Sequence, residues 1–189
     1  MKAIELQPLG DAEPDVLESI CPALQDAFKV PAKVRSGSIP LSSFYDVQRG
    51  QYNSTAILHQ LSPFLSMPRT GAILRSNSDI HIVGVTQRDL FMPILTYVFG
   101  EAALGGDAAV VSYHRFRNEL YGLPPNKDLM IERLRKVTIH ELGHTLGLVH
   151  CTLQYCVMHA ASYVEELDLK GHEFCPFCRS AEARVLHSI

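Results

Sequence analysis

The stretch Thr138-Ile139-His140-Glu141-Leu142-Gly143-His144-Thr145-Leu146-Gly147-Leu148-Val149-His150-Cys151-Thr152-Leu153-Gln154-Tyr155-Cys156-Val157-Met158 decides how the chain is read. Residues four apart on a helix lie almost above one another, so His140 and His144 can offer two imidazoles to a single ion. Glu141 falls about 100° further round, off the ligand seam but within reach of a water on the metal. Gly147 suits a helix end because it takes φ > 0 at little cost, and the turn it permits can return His150 as a third ligand. Three neutral imidazoles leave a fourth tetrahedral position open, which separates a catalytic zinc from a structural one.

His-Glu-x-x-His on a helix combines two zinc ligands with a general base, the arrangement of zinc peptidases. Zinc lowers the pKa of the water in its open position to about 7, so hydroxide is available near neutral pH. Five fixed positions at this spacing would match by chance in roughly one sequence of this length in 20,000. The competing reading is an ordinary helix with solvated His and Glu on its polar face. The local context is helical: Ile131, Ile139, Leu142 and Leu146 form one stripe opposite His140 and His144. Asn126 is a candidate N-cap, with Asp128 in the first turn.

His140-Glu141-x-x-His144-x-x-Gly147-x-x-His150 with a downstream Met158 resembles the metzincin clan of zinc metallopeptidases. Cys151, Cys156 and the later Cys175-x-x-Cys178 make it similar to the archaemetzincins in particular. That resemblance spans residues 140–178, with looser likeness in Ile82-Val83-Gly84-Val85-Thr86 and Phe99-Gly100-Glu101-Ala102. It implies a metzincin-like α/β (α+β) fold with a twisted mixed sheet, an active-site helix and a small C-terminal subdomain. It also implies a catalytic zinc on His140, His144 and His150, Met158 in a tight turn beneath it, and a second zinc on the four cysteines. In such enzymes an edge strand before the active-site helix pairs with the bound peptide, and chain order makes residues 108–113 the candidate.

The residue types at the cysteines support the same reading independently. Four thiolates in two close pairs suit a closed tetrahedral zinc site, useful in a C-terminal piece too short to build much core. Two rivals stay open: a redox pair at Cys175-x-x-Cys178, and a reversible disulfide between the pairs. His159 and His172 lie nearby in sequence and could substitute as ligands. Cys21 stands apart and reads as a small buried hydrophobe.

Length and composition set the frame. The 189 residues, with 47% hydrophobic and 20% charged content, suit a single catalytic domain. Its expected parts are residues 1–149, with sheet and active-site helix, and 150–189, with the methionine turn and the cysteines. A net charge of −3 offers no broad basic field for nucleic acid. The first residues are too short and polar for a signal h-region, and no apolar run reaches the roughly 18 residues that would span a bilayer. An odd count of five cysteines argues against a disulfide framework. The expectation is a cytosolic protein with peptide partners and no membrane.

Along the chain, residues 1–8 alternate as a strand, and a helix begins at Pro14 that Pro22 should kink or divide. Residues 32–39 form a second strand, and Ser54-Thr55 should cap a helix ended by Pro63. Residues 66–78 read as loop. Residues 79–86 are near-continuously apolar and so belong to a central strand, with His81 structural. Residues 97–102 are a short strand or turn. Arg133, Arg135 and Lys136 read as a solvated helix face, and residues 161–170 as a C-terminal helix. Together these features lead to a zinc-dependent peptidase, with aminopeptidase-like action or action on short peptides expected. The alternative is a two-zinc binding or scaffold protein without turnover, which the intact Glu141 argues against.

Overall fold

A computed structural model describes residues 1–62, 65, 76 and 78–187; of the expected loop at 66–78 only residues 76 and 78 are described, and the stop at Pro63 lies outside the described residues. Strands β1 (Ala3–Pro8), β2 (Ala32–Val34), β5 (Ile80–Thr86), β7 (Gly100–Ala102) and β8 (Ala108–Ser112) form a five-stranded sheet in the order β2-β1-β5-β8-β7. All are parallel except β7, which runs antiparallel to β8. A small sheet pairs β3 (Tyr45–Asp46), β4 (Gln51–Asn53) and β6 (Leu90–Phe91).

Both faces of the main sheet are covered, as a parallel sheet requires. Helices α1 (Pro14–Phe28) and α3 (Lys127–Thr145) pack on one face, and α2 (Ser54–Leu61) on the other. The alternation within β5 and β8 shows how. Val83, Val85, Ala109 and Val111 join the core under α1 and α3, whereas Ala108 and Val110 join the core under α2. The larger core runs without a break from Ile4 and Leu6 to Phe174 and Cys175, so α4 (Val164–Leu169) and α5 (Pro176–His187) close against the rest of the chain. Phe28 and Phe174 meet edge to face at 5.6 Å, and Arg179 donates to the Ala27 carbonyl at 2.6 Å. Among the described residues no helix is long and apolar enough to cross a membrane.

Several expectations need correction. Pro22 sits inside α1 without dividing it, on the exposed face where water can serve the Glu18 carbonyl that loses its donor. The cap of α2 is Asn53, whose Oδ1 accepts from Ala56 N at 3.0 Å; the Ser54 and Thr55 hydroxyls bond Glu101 instead. Arg133 and Lys136 are buried, because the segment around α4 packs across that side of α3. Arg133 makes a two-pronged pair with Asp168 (2.7 and 2.6 Å), and Lys136 donates to the Leu167 carbonyl at 2.8 Å. The 161–170 helix shortens to α4, and α5 opens on Pro176 at its first position. Residues 108–113 are not the edge strand: β8 lies between β5 and β7, and the edge is β7. Chain order placed the last strand before α3 outermost, but β7 doubles back antiparallel and takes the outer position.

Candidate metal centre and active site

The active-site geometry starts with how α3 begins and ends. Asn126 caps it as expected, its Oδ1 accepting from Leu129 N at 3.0 Å. At the other end Gly147 has φ 83°, and two backbone bonds close the turn: Gly147 N to His144 O (2.8 Å) and Leu148 N to Gly143 O (3.0 Å). This is a Schellman stop, and it needs the left-handed residue that glycine supplies. The same turn aims the Leu148 carbonyl back at His144, whose Nδ1 lies 2.7 Å from it. His140 Nδ1 lies 2.8 Å from the Val157 carbonyl.

Those two contacts settle the tautomers. A carbonyl can only accept, so each Nδ1 carries the proton and each Nε2 presents a lone pair. The two Nε2 atoms face one another at 3.1 Å. Two ligand nitrogens about 2.05 Å from a tetrahedral zinc stand about 3.3 Å apart. His150 completes the cluster, its ring centroid 5.2 and 5.0 Å from those of His140 and His144. The ligand atoms of all three lie within 4.8 Å of one another. Burial pushes the pKa of all three below the usual histidine range, furthest for His140, where the nearby Lys170 adds to it. Neutral imidazoles with convergent lone pairs are the protonation state that metal binding requires.

Glu141 is buried beside this cluster, under β7. Burial raises its pKa to about 8; Lys170 opposes the rise and Glu101 adds to it. A dication next to it would pull that value down again. Its position depends on Gly100: a Cβ there would stand 2.8 Å from Glu141 Cγ and Oε1. Sequence reading placed Gly100 in a short strand or turn and gave it no role. Nothing local marks it, because its contact is with a residue 41 positions away. Lys170, also missed, is buried and donates to the Val157 and His159 carbonyls at 2.9 and 3.0 Å, tying α4's end to the segment that orients His140. Met158 is fully buried and packs its Sδ against the Cα face of Gly143. The cleft, of about 370 Å3, is lined by these three histidines, Glu141 and the β7 edge.

The cysteines gather in a second cluster. Cys151, Cys156, Cys175 and Cys178 bring their sulfurs within 4.8 Å of one another, and all are free thiols. Cys151 and Cys175 are 3.8 Å apart at sulfur, close to the separation of about 3.75 Å between ligands on a tetrahedral zinc and far beyond a disulfide bond. Burial pushes Cys178 and Cys156 up, while hydrogen bonds from Cys178 and the other thiols outweigh burial at Cys175 and bring it to about 7. Four sulfurs gathered this closely suit a shared dication. His159 and His172 belong to neither cluster among the described residues: His159 Nδ1 bonds the Cys151 carbonyl at 3.0 Å, and His172 lies near Glu132 and Glu173. Cys21 is half-buried against the core, with no second cysteine beside it among the described residues.

Comparison with known proteins agrees with this geometry. The family model described as Peptidase family M54 matches residues 14–184. The archaemetzincin of Methanocaldococcus jannaschii is 38% identical over 173 residues, covering 92% of this chain and 88% of its own. The crystal structure of archaemetzincin from Archaeoglobus fulgidus, complexed with malonate, superposes with a TM-score of 0.77 at 33% identity, covering 95% of this chain and 99% of that one. A zinc-dependent peptidase from Methanocorpusculum labreanum gives 0.80 at 28% identity, with coverage of 95% and 99%. With the match running from α1 into α5 and taking in both clusters, this chain belongs to peptidase family M54, the archaemetzincins, and is a zinc metallopeptidase.

Proposed function

We propose that the chain hydrolyses peptide bonds with His140, His144 and His150 as ligands of a catalytic zinc and Glu141 as general base. The observation that carries this is the pair of carbonyl-fixed imidazoles whose lone pairs converge next to a buried carboxyl. A zinc ion held there supplies Lewis acidity, polarising a peptide carbonyl and making nearby water more acidic. Glu141 takes the proton of the attacking water as its oxygen bonds to the carbonyl carbon, then gives it to the departing amine as the C–N bond breaks. The Val157 and Leu148 carbonyls keep the ligand rings in place while this occurs. Met158 takes no chemical part and fills the space under α3.

The substrate backbone lies along β7. Phe99 O and Ala103 N bond inward to Ser112 and Ala108, so by antiparallel alternation Gly100 and Ala102 turn their N–H and C=O groups to the open edge. An extended peptide can add there as a further strand directly above Glu141. Leu104 and Val149, both exposed, give the cleft mouth apolar walls. Cys151, Cys156, Cys175 and Cys178 would hold a second, structural zinc, beginning one residue from His150. On this reading residues 1–149 and 150–189 act as one catalytic unit that takes short peptides, and cysteines given to zinc rather than to disulfides fit a reducing, cytosolic setting.

Glu141→Ala tests the reading. The variant should bind zinc as the parent does and lose hydrolysis of a mixed peptide library by 100-fold or more. Retained turnover would overturn the base assignment. A zinc-loaded parent that cleaves no peptide would favour a binding role instead.

A further inference from the structure

A second cavity, of about 610 Å3, opens where the small sheet meets the turns after β5 and β8, away from the histidines. Its size falls within the usual range for small-molecule sites. Four arginines and two aspartates line it: Arg49, Arg88, Arg115 and Arg117 against Asp11 and Asp89. The aspartates are already taken. Arg88 grips Asp11 with two bonds (3.0 and 2.6 Å), and Arg115 grips Asp89 with two more (both 2.7 Å). Gln51 adds a further donor to Asp89 at 2.8 Å. Four positive charges less two negative leave a surplus of two, in a chain whose net charge is −3.

The surplus sits on Arg49 and Arg117, which have no carboxylate partner among the described residues. Neither dangles. Arg49 donates to the Leu95 carbonyl at 3.0 Å and lies 4.3 Å over the Phe91 ring. Arg117 donates through Nε to the His114 carbonyl at 3.3 Å. Guanidiniums held by neutral groups keep their full charge and have already lost much of the side-chain freedom that binding would otherwise remove. Fork-shaped donors of this kind match phosphate oxygens. On the same wall Tyr45 and Tyr52 stand 5.0 Å apart, with Tyr45 half-exposed, and present an aromatic face to a planar group.

We propose that this cavity binds a phosphate-bearing small molecule whose charge Arg49 and Arg117 neutralise. The doubly charged surplus matches a phosphate rather than a single carboxylate. The chemistry is shared by free inorganic phosphates and by nucleotides, and the tyrosines distinguish them. The site is independent of the proposed peptidase mechanism, since no lining residue belongs to the histidine or cysteine clusters.

The test is calorimetric titration of the zinc-loaded full chain with pyrophosphate, ADP and acetate. Pyrophosphate should bind, more weakly as salt rises, and acetate should not. Arg49→Gln and Arg117→Gln should each weaken binding roughly tenfold or more while leaving the melting temperature and peptide hydrolysis unchanged. Lys127→Gln, a charge removed from an exposed position elsewhere, should leave binding as it was. ADP binding more tightly than pyrophosphate assigns the site to nucleotides; equal or weaker ADP binding assigns it to free phosphates. The proposal is overturned if neither phosphate binds at millimolar concentration, if acetate competes equally, if the Lys127 variant loses as much as the arginine variants, or if the arginine variants bind normally.

Discussion

Gly100→Ala should separate activity from stability. The added methyl would lie 2.8 Å from Glu141 Cγ and Oε1 and 2.9 Å from its Cδ, where ordinary contact begins at 3.4 Å. The carboxyl must therefore retreat by at least 0.6 Å, the difference between 3.4 and 2.8. It can do so, because it is the end of a flexible side chain, and the fold need not adjust. Displacing a reacting group by about 1 Å costs on the order of 100-fold in rate, about 2.7 kcal/mol of barrier. Folding stability should hold or rise by up to about 1 kcal/mol, since alanine narrows the unfolded ensemble and Gly100 is not among the positive-φ glycines. The assay is kcat and KM on a fluorogenic peptide, with zinc content and thermal melting measured on the same preparation. The expected pattern is a kcat fall of 10- to 100-fold with KM, zinc and melting temperature nearly unchanged. Activity within threefold of the parent would refute the reasoning, and so would loss of activity in step with loss of zinc.

Other outcomes follow from the same packing. Gly143→Ala sets a methyl against Met158 Sδ, 3.1 Å from its Cε and 3.3 Å from Phe174; overpacking of about 1–3 kcal/mol should exceed the helix-propensity gain of about 1 kcal/mol. Urea unfolding should show a net loss, and adding Met158→Ala should recover part of it; additive losses would contradict the contact. Burial lowers the His81 pKa from 6.5 to about 4, and its Nδ1 donates to Thr145 Oγ1 at 2.7 Å, whose own proton goes to Leu142 O. Between those pH values the unfolded chain holds a proton that the folded chain does not. Stability from this group is therefore complete above pH 6.5 and lost as pH falls toward 4, by about 3 kcal/mol at most. His81→Gln should flatten unfolding free energy against pH in that window, and an unchanged slope would count against it. Cys156→Ser should reduce zinc from two ions per chain to one and lower the melting temperature by roughly 10 °C, taking about 4 kcal/mol for a lost metal; two ions retained would rule out the four-sulfur site.

Much of this was legible in local sequence. Ligand spacing, the Gly147 stop and the Asn126 cap depend on neighbours within one or two helical turns, and the structure places those parts together as the spacing implies. The central strand expected at 79–86 announced itself by a near-continuous apolar run, because burial on both faces leaves little polar alternation to preserve. What failed was long-range. The charged run at 133–136 looked solvated because nothing nearby in sequence could cover it, yet α4 arrives from some 30 residues away and supplies Asp168 and two carbonyls. The edge strand was misassigned because order along the chain does not dictate order across a sheet.

The sequence by itself therefore determined the local part: His140 and His144 on one helix face, Glu141 beside them and the Gly147 stop, since a helical turn repeats the same geometry wherever it occurs. Tertiary structure alone decided the setting. That includes the outer place of β7, the contact of Gly100 with Glu141, the Val157 carbonyl that fixes the His140 tautomer, the gathering of the four cysteines and the arginine-lined cavity. Each depends on segments brought together by packing, and side-chain type carries no record of which distant segment it will meet.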